Sequence, residues 1–501
     1  MDDLIKHILT ARVYDLAERT PLDPAVTLSA RVGNAVLLKR EDLQPSFSFK
    51  VRGAYNRIAN LSAKERRAGV ICASAGNHAQ GVAMSARHLK LTAMVVMPET
   101  TPRIKVDAVK RLGAEVVLHG DNYSEAAAHC AVLVEKSGMT FVHPFDDPLV
   151  IAGQGTIGHE LVQQCPEMDA VFVPIGGGGL IGGIAAFVKH LRPNTKIIGV
   201  QPEDSSAMLD SLKAGKRVSL DHVGIFADGV AVKQVGALTF SIAQKCVDEI
   251  VTVSTDQICS AIKSIYEDTR SIMEPAGALG VAGVREYLNR HPQEGKTFVA
   301  VNSGANMNFD RLQFVAERTL TGEKREALYA VTIPERAGAL RFFCENVVGE
   351  RNITEFNYRL AGRGEAHIFV GVGIQSRDEK ASLEALLQRH GFPYLDLTDN
   401  DLAKEHIRHM VGGRSAETAG EVLYKFDFPE RPRALRDFLA AMSGGWNISL
   451  FHYRMHGADF GRVLVGFEIP KGDEARFQDF LKKLHYEYVD ETSNPAYRMF
   501  L

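Results

Sequence analysis

Four short segments hold the residue types best suited to chemistry: a lysine in an apolar setting, a small polar turn, a run of four glycines and a second turn bearing a serine. Ser46-Phe-Ser-Phe-Lys-Val-Arg-Gly53 sets Lys50 between an aromatic and a short apolar residue where a helix is expected to begin. A partly desolvated amine in such a place has a lowered pKa and can form a Schiff base. A lone lysine at a helix start is ordinarily a solvated side chain, so Lys50 gains meaning only from its company.

Val70-Ile-Cys-Ala-Ser-Ala-Gly-Asn-His-Ala-Gln-Gly81 runs from a strand through a small-residue turn into a helix over 79–89. There Ser74, Ala75, Gly76, Asn77 and His78 would turn backbone N–H groups toward a carboxylate at the positive end of the helix. The Asn77 amide could also reach a ring oxygen, although Gly and Asn equally make an ordinary capping turn. Ala170-Val-Phe-Val-Pro-Ile-Gly-Gly-Gly-Gly-Leu180 is a strand entering Gly176, Gly177, Gly178 and Gly179 ahead of a helical stretch. The helix itself is expected over 181–190, and such a loop lets backbone approach a phosphate closely. Because Gly177, Gly179 and Gly182 also satisfy G-x-G-x-x-G, the loop alone leaves pyridoxal phosphate (PLP) and NAD both open, and Glu203 lies where a ribose-binding acid would stand. Phe298-Val-Ala-Val-Asn-Ser-Gly-Ala-Asn306 aims the Ser303 hydroxyl at a strand end.

These segments need a scaffold that brings strand ends together. Short apolar runs at 36–38, 70–73, 93–97, 115–118, 170–173, 197–200, 250–253 and 298–301 alternate with helical stretches, which predicts an α/β fold of buried, mostly parallel strands. In such sheets ligands collect where strands end and helices begin. The 501 residues are too many for one ordinary core. With 45% apolar and 24% charged residues, compact globular domains are expected rather than disorder. Lys plus Arg number 58 against 61 Asp plus Glu, a net charge of −3, which gives no electrostatic reason for a nucleic-acid or membrane partner. The six cysteines form no C-x-x-C pair, so neither a disulfide framework nor a metal site is indicated. The first residues lack a signal-peptide pattern and no apolar run is long enough for a bilayer, so a cytoplasmic location is expected.

Beyond about residue 320 the texture changes. Sliding 326–374 by 95 residues onto 421–469 gives 20 identities in 49 positions, against roughly three from ordinary residue usage. This is a duplication. Each copy reads as strand, tight loop, helix, strand, strand, a small βαβ-type module. The expected domains are 1–320, 327–397 and 421–496, with a spacer around 398–421.

Taken in order, Ser48-Phe-Lys50, Ser74-Ala-Gly-Asn-His78, the four glycines and Ser303-Gly-Ala-Asn306 resemble the fold type II, tryptophan-synthase-β-like PLP enzymes. The duplicated tail resembles the ACT family of amino-acid-binding modules, and the combination over the whole chain is similar to the biosynthetic threonine dehydratase family. That resemblance implies PLP as cofactor, carried by Lys50, with Asn77 at its ring oxygen, Gly176 to Gly179 and Leu180 at its phosphate and Ser303 at its pyridine nitrogen. It implies conversion of L-threonine, with serine as a second substrate, to a 2-oxo acid and ammonia. Ala75 stands where related serine racemases carry a serine, which favours elimination over racemisation. The resemblance further implies a homotetramer inhibited by isoleucine and relieved by valine. Arg336, Leu340, Arg431 and Leu435, at the turn from first strand to helix, are then candidate effector residues, with Asn352 and Asn447 expected nearby.

Overall fold

The computed structural model describes residues 1–322, 325–334, 339–349, 351–358, 365–407, 421–429, 438, 441–442, 446–454, 460–484 and 486–500. The chain divides into two compact units, Met1–Val315 and Ala316–Leu501.

The first unit carries two sheets. One has strands β1 (Leu22–Pro24), β2 (Ala35–Arg40), β7 (Ala170–Pro174), β8 (Lys196–Pro202), β9 (Glu249–Val253) and β10 (Thr297–Asn302), in the order β1-β2-β10-β7-β8-β9. All its pairings are parallel except the edge strand β1. The other sheet is wholly parallel, with β3 (Val70–Ala73), β4 (Ala93–Met97), β5 (Glu115–Leu118) and β6 (Thr140–Phe141) in the order β5-β4-β3-β6. Central strands such as Val171, Phe172 and Val173 are fully buried and feed cores on opposite faces, which is why they read as unbroken apolar runs. Seven helices position the site: α1 (Lys50–Ala59), α2 (Asn77–His88), α3 (Arg103–Arg111), α4 (Pro148–Gln164), α5 (Gly179–Leu191), α6 (Pro275–Arg290) and α7 (Arg311–Gly322).

The second unit holds two copies of one antiparallel design. The first copy is β11 (Glu326–Pro334), α8 (Ala339–Phe343) with a π-turn over Cys344–Val348, β12 (Ile353–Tyr358), β13 (Glu365–Gly373), α9 (Arg377–Arg389) and β14 (Tyr394–Asp396), in sheet order β12-β13-β11-β14. The second has β15 (Glu421–Pro429), β16 (Asn447–Arg454), β17 (Phe460–Glu468), α10 (Glu474–Leu484) and β18 (Glu487–Asp490), in the equivalent order. The expected pattern of strand, helix, strand, strand is present in the first copy, and both copies continue after their third strand into a further helix and strand. The crossover is split, because β13 lies between β11 and β12 and pairs antiparallel with both. Side-chain alternation explains the packing. Tyr329, Val331 and Ile333 face the copy's own helices, while Leu328 and Ala330 join a core shared with Leu423 and Leu464 of the second copy. In that second copy Trp446 is 8% exposed, donates its indole N–H to Asp473 and packs edge-on against Phe477 and Phe480.

Candidate active site

The helix that starts at Lys50 is anchored from beneath. Arg52, in its first turn, is fully buried and donates Nε and Nη2 to the two oxygens of Glu41 at 2.7 Å each and Nη1 to Glu160 at 2.5 Å. Lys39 Nζ donates to the other Glu160 oxygen at 2.5 Å. Two buried cations thus meet two buried carboxylates. Burial would raise the Glu160 carboxyl, but Arg52 and Lys39 override it and hold the group below the usual range. The helices α1 and α4 cross closely: a Cβ on Gly153 would lie 2.6 Å from the Arg52 carbonyl oxygen and from Gly53 Cα.

With its helix fixed, the Lys50 amine donates to the Pro144 carbonyl at 3.0 Å. Burial pushes its pKa down to about 8, and the Glu274 charge pulls the other way. Next to Pro144, Phe145 covers the glycine loop, where a Cβ on Gly177 would sit 2.3 Å from its ring. Gly178 takes φ +95°, a left-handed conformation that glycine adopts without strain, and α5 begins at the next residue. The backbone N–H groups of Gly176, Gly177, Gly178, Gly179 and Leu180 have no acceptor among the described residues. Five unpaired donors at a helix N-terminus make a cradle for a phosphate. Thr239 Oγ1 steadies the loop by donating to the Gly177 carbonyl at 2.7 Å.

The polar turn before α2 supplies fewer donors than its sequence suggests. The Ser74 N–H is spent on the Val96 carbonyl and the Gly76 N–H on Ser74 Oγ, which leaves Ala75, Asn77 and His78 with unpaired N–H groups among the described residues. Ser74 therefore drops out as a backbone donor, because it still belongs to the sheet ladder. The His78 side chain faces the core and donates Nε2–H to Val142 at 2.8 Å. Burial, then the Lys50 charge, push it down to about 3, so it is neutral. Ser303 is buried, with Oγ donating to Ala276 at 3.3 Å and its carbonyl accepting the Phe49 N–H at 3.1 Å. The serine turn and the lysine turn are thus laced together, reinforced by a bridge between Ser48 and Gly304.

Family models agree with this geometry. Residues 13–304 match the pyridoxal-phosphate dependent enzyme family, and 317–407 and 412–501 each match the C-terminal regulatory domain of threonine dehydratase. The chain is 57% identical to the biosynthetic L-threonine dehydratase of Burkholderia multivorans, covering 100% of this chain and 99% of that protein. The chain belongs to the biosynthetic threonine dehydratase family. The Escherichia coli member is 49% identical, covering 100% of this chain and 97% of its own length. The solved structure of the processed form of threonine deaminase isoform 2 from Solanum lycopersicum is 50% identical over 63% of this chain and 93% of that one, with a TM-score of 0.62. Fold type II architecture, with antiparallel C-terminal modules, follows from these matches and the sheets described above.

The donor set fits PLP, the cofactor of this dehydratase family: a desolvated amine for its aldehyde, a neutral hydroxyl for its ring and five unpaired N–H groups for its phosphate. Among the expected effector residues, Arg336, Arg431 and Leu435 lie outside the described residues, as does the side chain of Leu340. Asn352 and Asn447 lie at the opposite end of their sheets from Pro334 and Pro429, where β11 and β15 stop. In the first copy Glu326 pairs with Gly373 and Pro334 with Glu365, while Asn352 lies beside Gly373. Asn352 is thus about 26 Å along the sheet from where β11 ends. Asn447 pairs with Glu468, at the far end of β17 from the Pro429 partner Phe460. The physical reason is the crossover, which carries the chain back the full length of a strand. A dehydratase site residue absent from the sequence reading is Glu274, 6% exposed and hydrogen-bonded to Asn77 at 2.5 Å. Its only local signal is a carboxylate ahead of Pro275 at a helix start, which reads as a cap.

Proposed function

We propose that the protein removes water and then ammonia from L-threonine to give 2-oxobutyrate, as the first step toward isoleucine, with L-serine as a second substrate. The observation that carries this is the Lys50 amine, desolvated and hydrogen-bonded to Pro144, whose neighbour Phe145 lies against five unpaired N–H groups. Held in this site, PLP would supply the electron sink that acidifies the Cα–H of an amino acid that has replaced Lys50 on it, leaving the Lys50 amine free. Burial pushes this amine down to about 8, which favours the neutral form able to take that proton. The N–H groups of Ala75, Asn77 and His78 hold the substrate carboxylate at the N-terminus of α2. Gly176 to Leu180 hold the phosphate, and Ser303 meets the pyridine nitrogen as a neutral partner. Ala75 offers no proton from the opposite face, so the reaction runs to elimination.

In this reading 1–320 is the catalytic part, and 327–397 and 421–496 form the regulatory part. Isoleucine inhibits and valine relieves, in a cytoplasmic homotetramer; among the described residues no helix is long and apolar enough to cross a membrane. The test is 2-oxobutyrate production by purified protein, with and without isoleucine, alongside its visible spectrum. Lys50→Ala should lose the cofactor band and at least about a thousandfold in rate. A variant within tenfold of the normal rate overturns the reading. Threonine turnover indifferent to isoleucine removes its regulatory half.

A further inference from the structure

The surroundings of Asn77 fix its amide in one orientation. Its Oδ1 accepts from Asn306 Nδ2 at 2.7 Å, and its Nδ2 donates to Glu274 Oε1 at 2.5 Å. A half-turn of the amide would set NH2 against NH2 at Asn306 and oxygen against a carboxylate oxygen at Glu274, losing both bonds. The orientation seen leaves one amide hydrogen free, so Asn77 meets whatever lies beyond it as a donor. Asn306 is itself fixed, because Nδ2 also donates to the Ser46 carbonyl at 2.8 Å.

Glu274 sits at the start of α6 and is faced from every side by polar or charged groups. Asn77 approaches from α2 and Lys50 from α1. Asp228 approaches from the segment between β8 and β9, paired with Lys105 of α3 at 2.8 Å and Arg311 of α7 at 3.3 Å. Those two cations hold the Asp228 carboxyl well below its ordinary range against the opposing effect of burial, so it stays charged. Burial, and after it that charge, push Glu274 up to about 7, while Asn77, Lys105 and Arg311 pull it down. Once protonated, the carboxyl can donate as well as accept, and one half of the lock on Asn77 no longer discriminates.

We propose that Glu274, together with Asn306, is a positioning residue that turns the Asn77 amide N–H toward the ring oxygen of the cofactor, and that acidification releases this hold. The inference rests on the PLP reading above. It is tested on full-length protein stripped of cofactor and recharged with PLP, following the absorption of the bound cofactor and its Kd from pH 5.5 to 9. Wild type should show a spectral step near pH 7. Glu274→Ala should bind PLP at least tenfold more weakly at pH 8, with a displaced band. Glu274→Gln, which can still accept the Asn77 bond, should recover most of that affinity yet show no step. Asn306→Ala should displace the band and keep the step, which covers the case in which Glu274→Ala does not fold. Wild-type Kd and band in both alanine variants, or a step near pH 7 persisting in Glu274→Gln, overturns the inference alone. A wild-type protein that takes up no PLP overturns the cofactor reading as well.

Discussion

Replacing Arg52 by Met keeps most of the side-chain volume beneath α1 and deletes one of two cations from a neutral buried cluster. Glu160 retains Lys39, but Glu41 is left with only Thr20 Oγ1 at 2.6 Å and Gln44 Nε2 at 3.1 Å. Breaking a buried pair by removing one partner costs about 3–5 kcal/mol, because the remaining charge is uncompensated. At about 2.1 cal/mol/K per residue, the 315 residues of Met1–Val315 give an unfolding entropy near 0.66 kcal/mol/K. The expected loss is therefore about 5–8 °C in the melting transition of that unit, read by scanning calorimetry at matched PLP saturation. Adding Glu41→Gln removes the stranded charge and should restore at least half of the loss, a coupling expected of groups in direct contact. A single variant melting within about 1 °C of wild type, or a double variant no better than the single, would refute the reasoning.

Gly153→Ala pushes a methyl into the Arg52 carbonyl and Gly53 where the distance is only 2.6 Å, so α1 must separate from α4. The expected destabilisation is about 1–3 kcal/mol, with a raised PLP Kd as the check that Lys50 moves with its helix. Lys50→Met should stabilise the apoenzyme. The native amine has its pKa depressed to about 8, and keeping it charged in the fold opposes folding by on the order of 3 kcal/mol below pH 8. That penalty fades as pH rises from about 8 to the unfolded value near 10.4. Denaturation curves of the two apoproteins should thus converge in that interval, and a gap that stays constant from pH 7 to 10 would contradict the assigned desolvation.

Much of the scaffold is legible because buried parallel strands are unbroken apolar runs; all eight expected runs are strands. Leu22–Pro24 and Thr140–Phe141 carry too few residues to show a period. The four chemical segments are legible as motifs, because a glycine run or a small polar turn after a strand has few other uses. Glu274 is hidden for the opposite reason. Its significance arises from Asn77 and Asn306, residues 197 and 229 positions apart in their respective contacts, and no local pattern encodes such a meeting. The same holds for Arg52, whose partners Glu41 and Glu160 come from different elements. Asn352 shows how a repeat can mislead: the duplication marks it as shared by both copies, yet position in a split crossover is set by strand pairing and not by proximity in sequence.

Trp446 is the sole tryptophan of the chain, and it is lodged between Phe477, Phe480 and the Asp473 carboxylate of one copy only. Arg351 stands at the matching place in the other copy, where it contacts Glu379. Intrinsic indole emission is consequently a native fluorophore for a single module, so an effector titration or a chemical melt followed near 340 nm watches that copy while its twin stays dark.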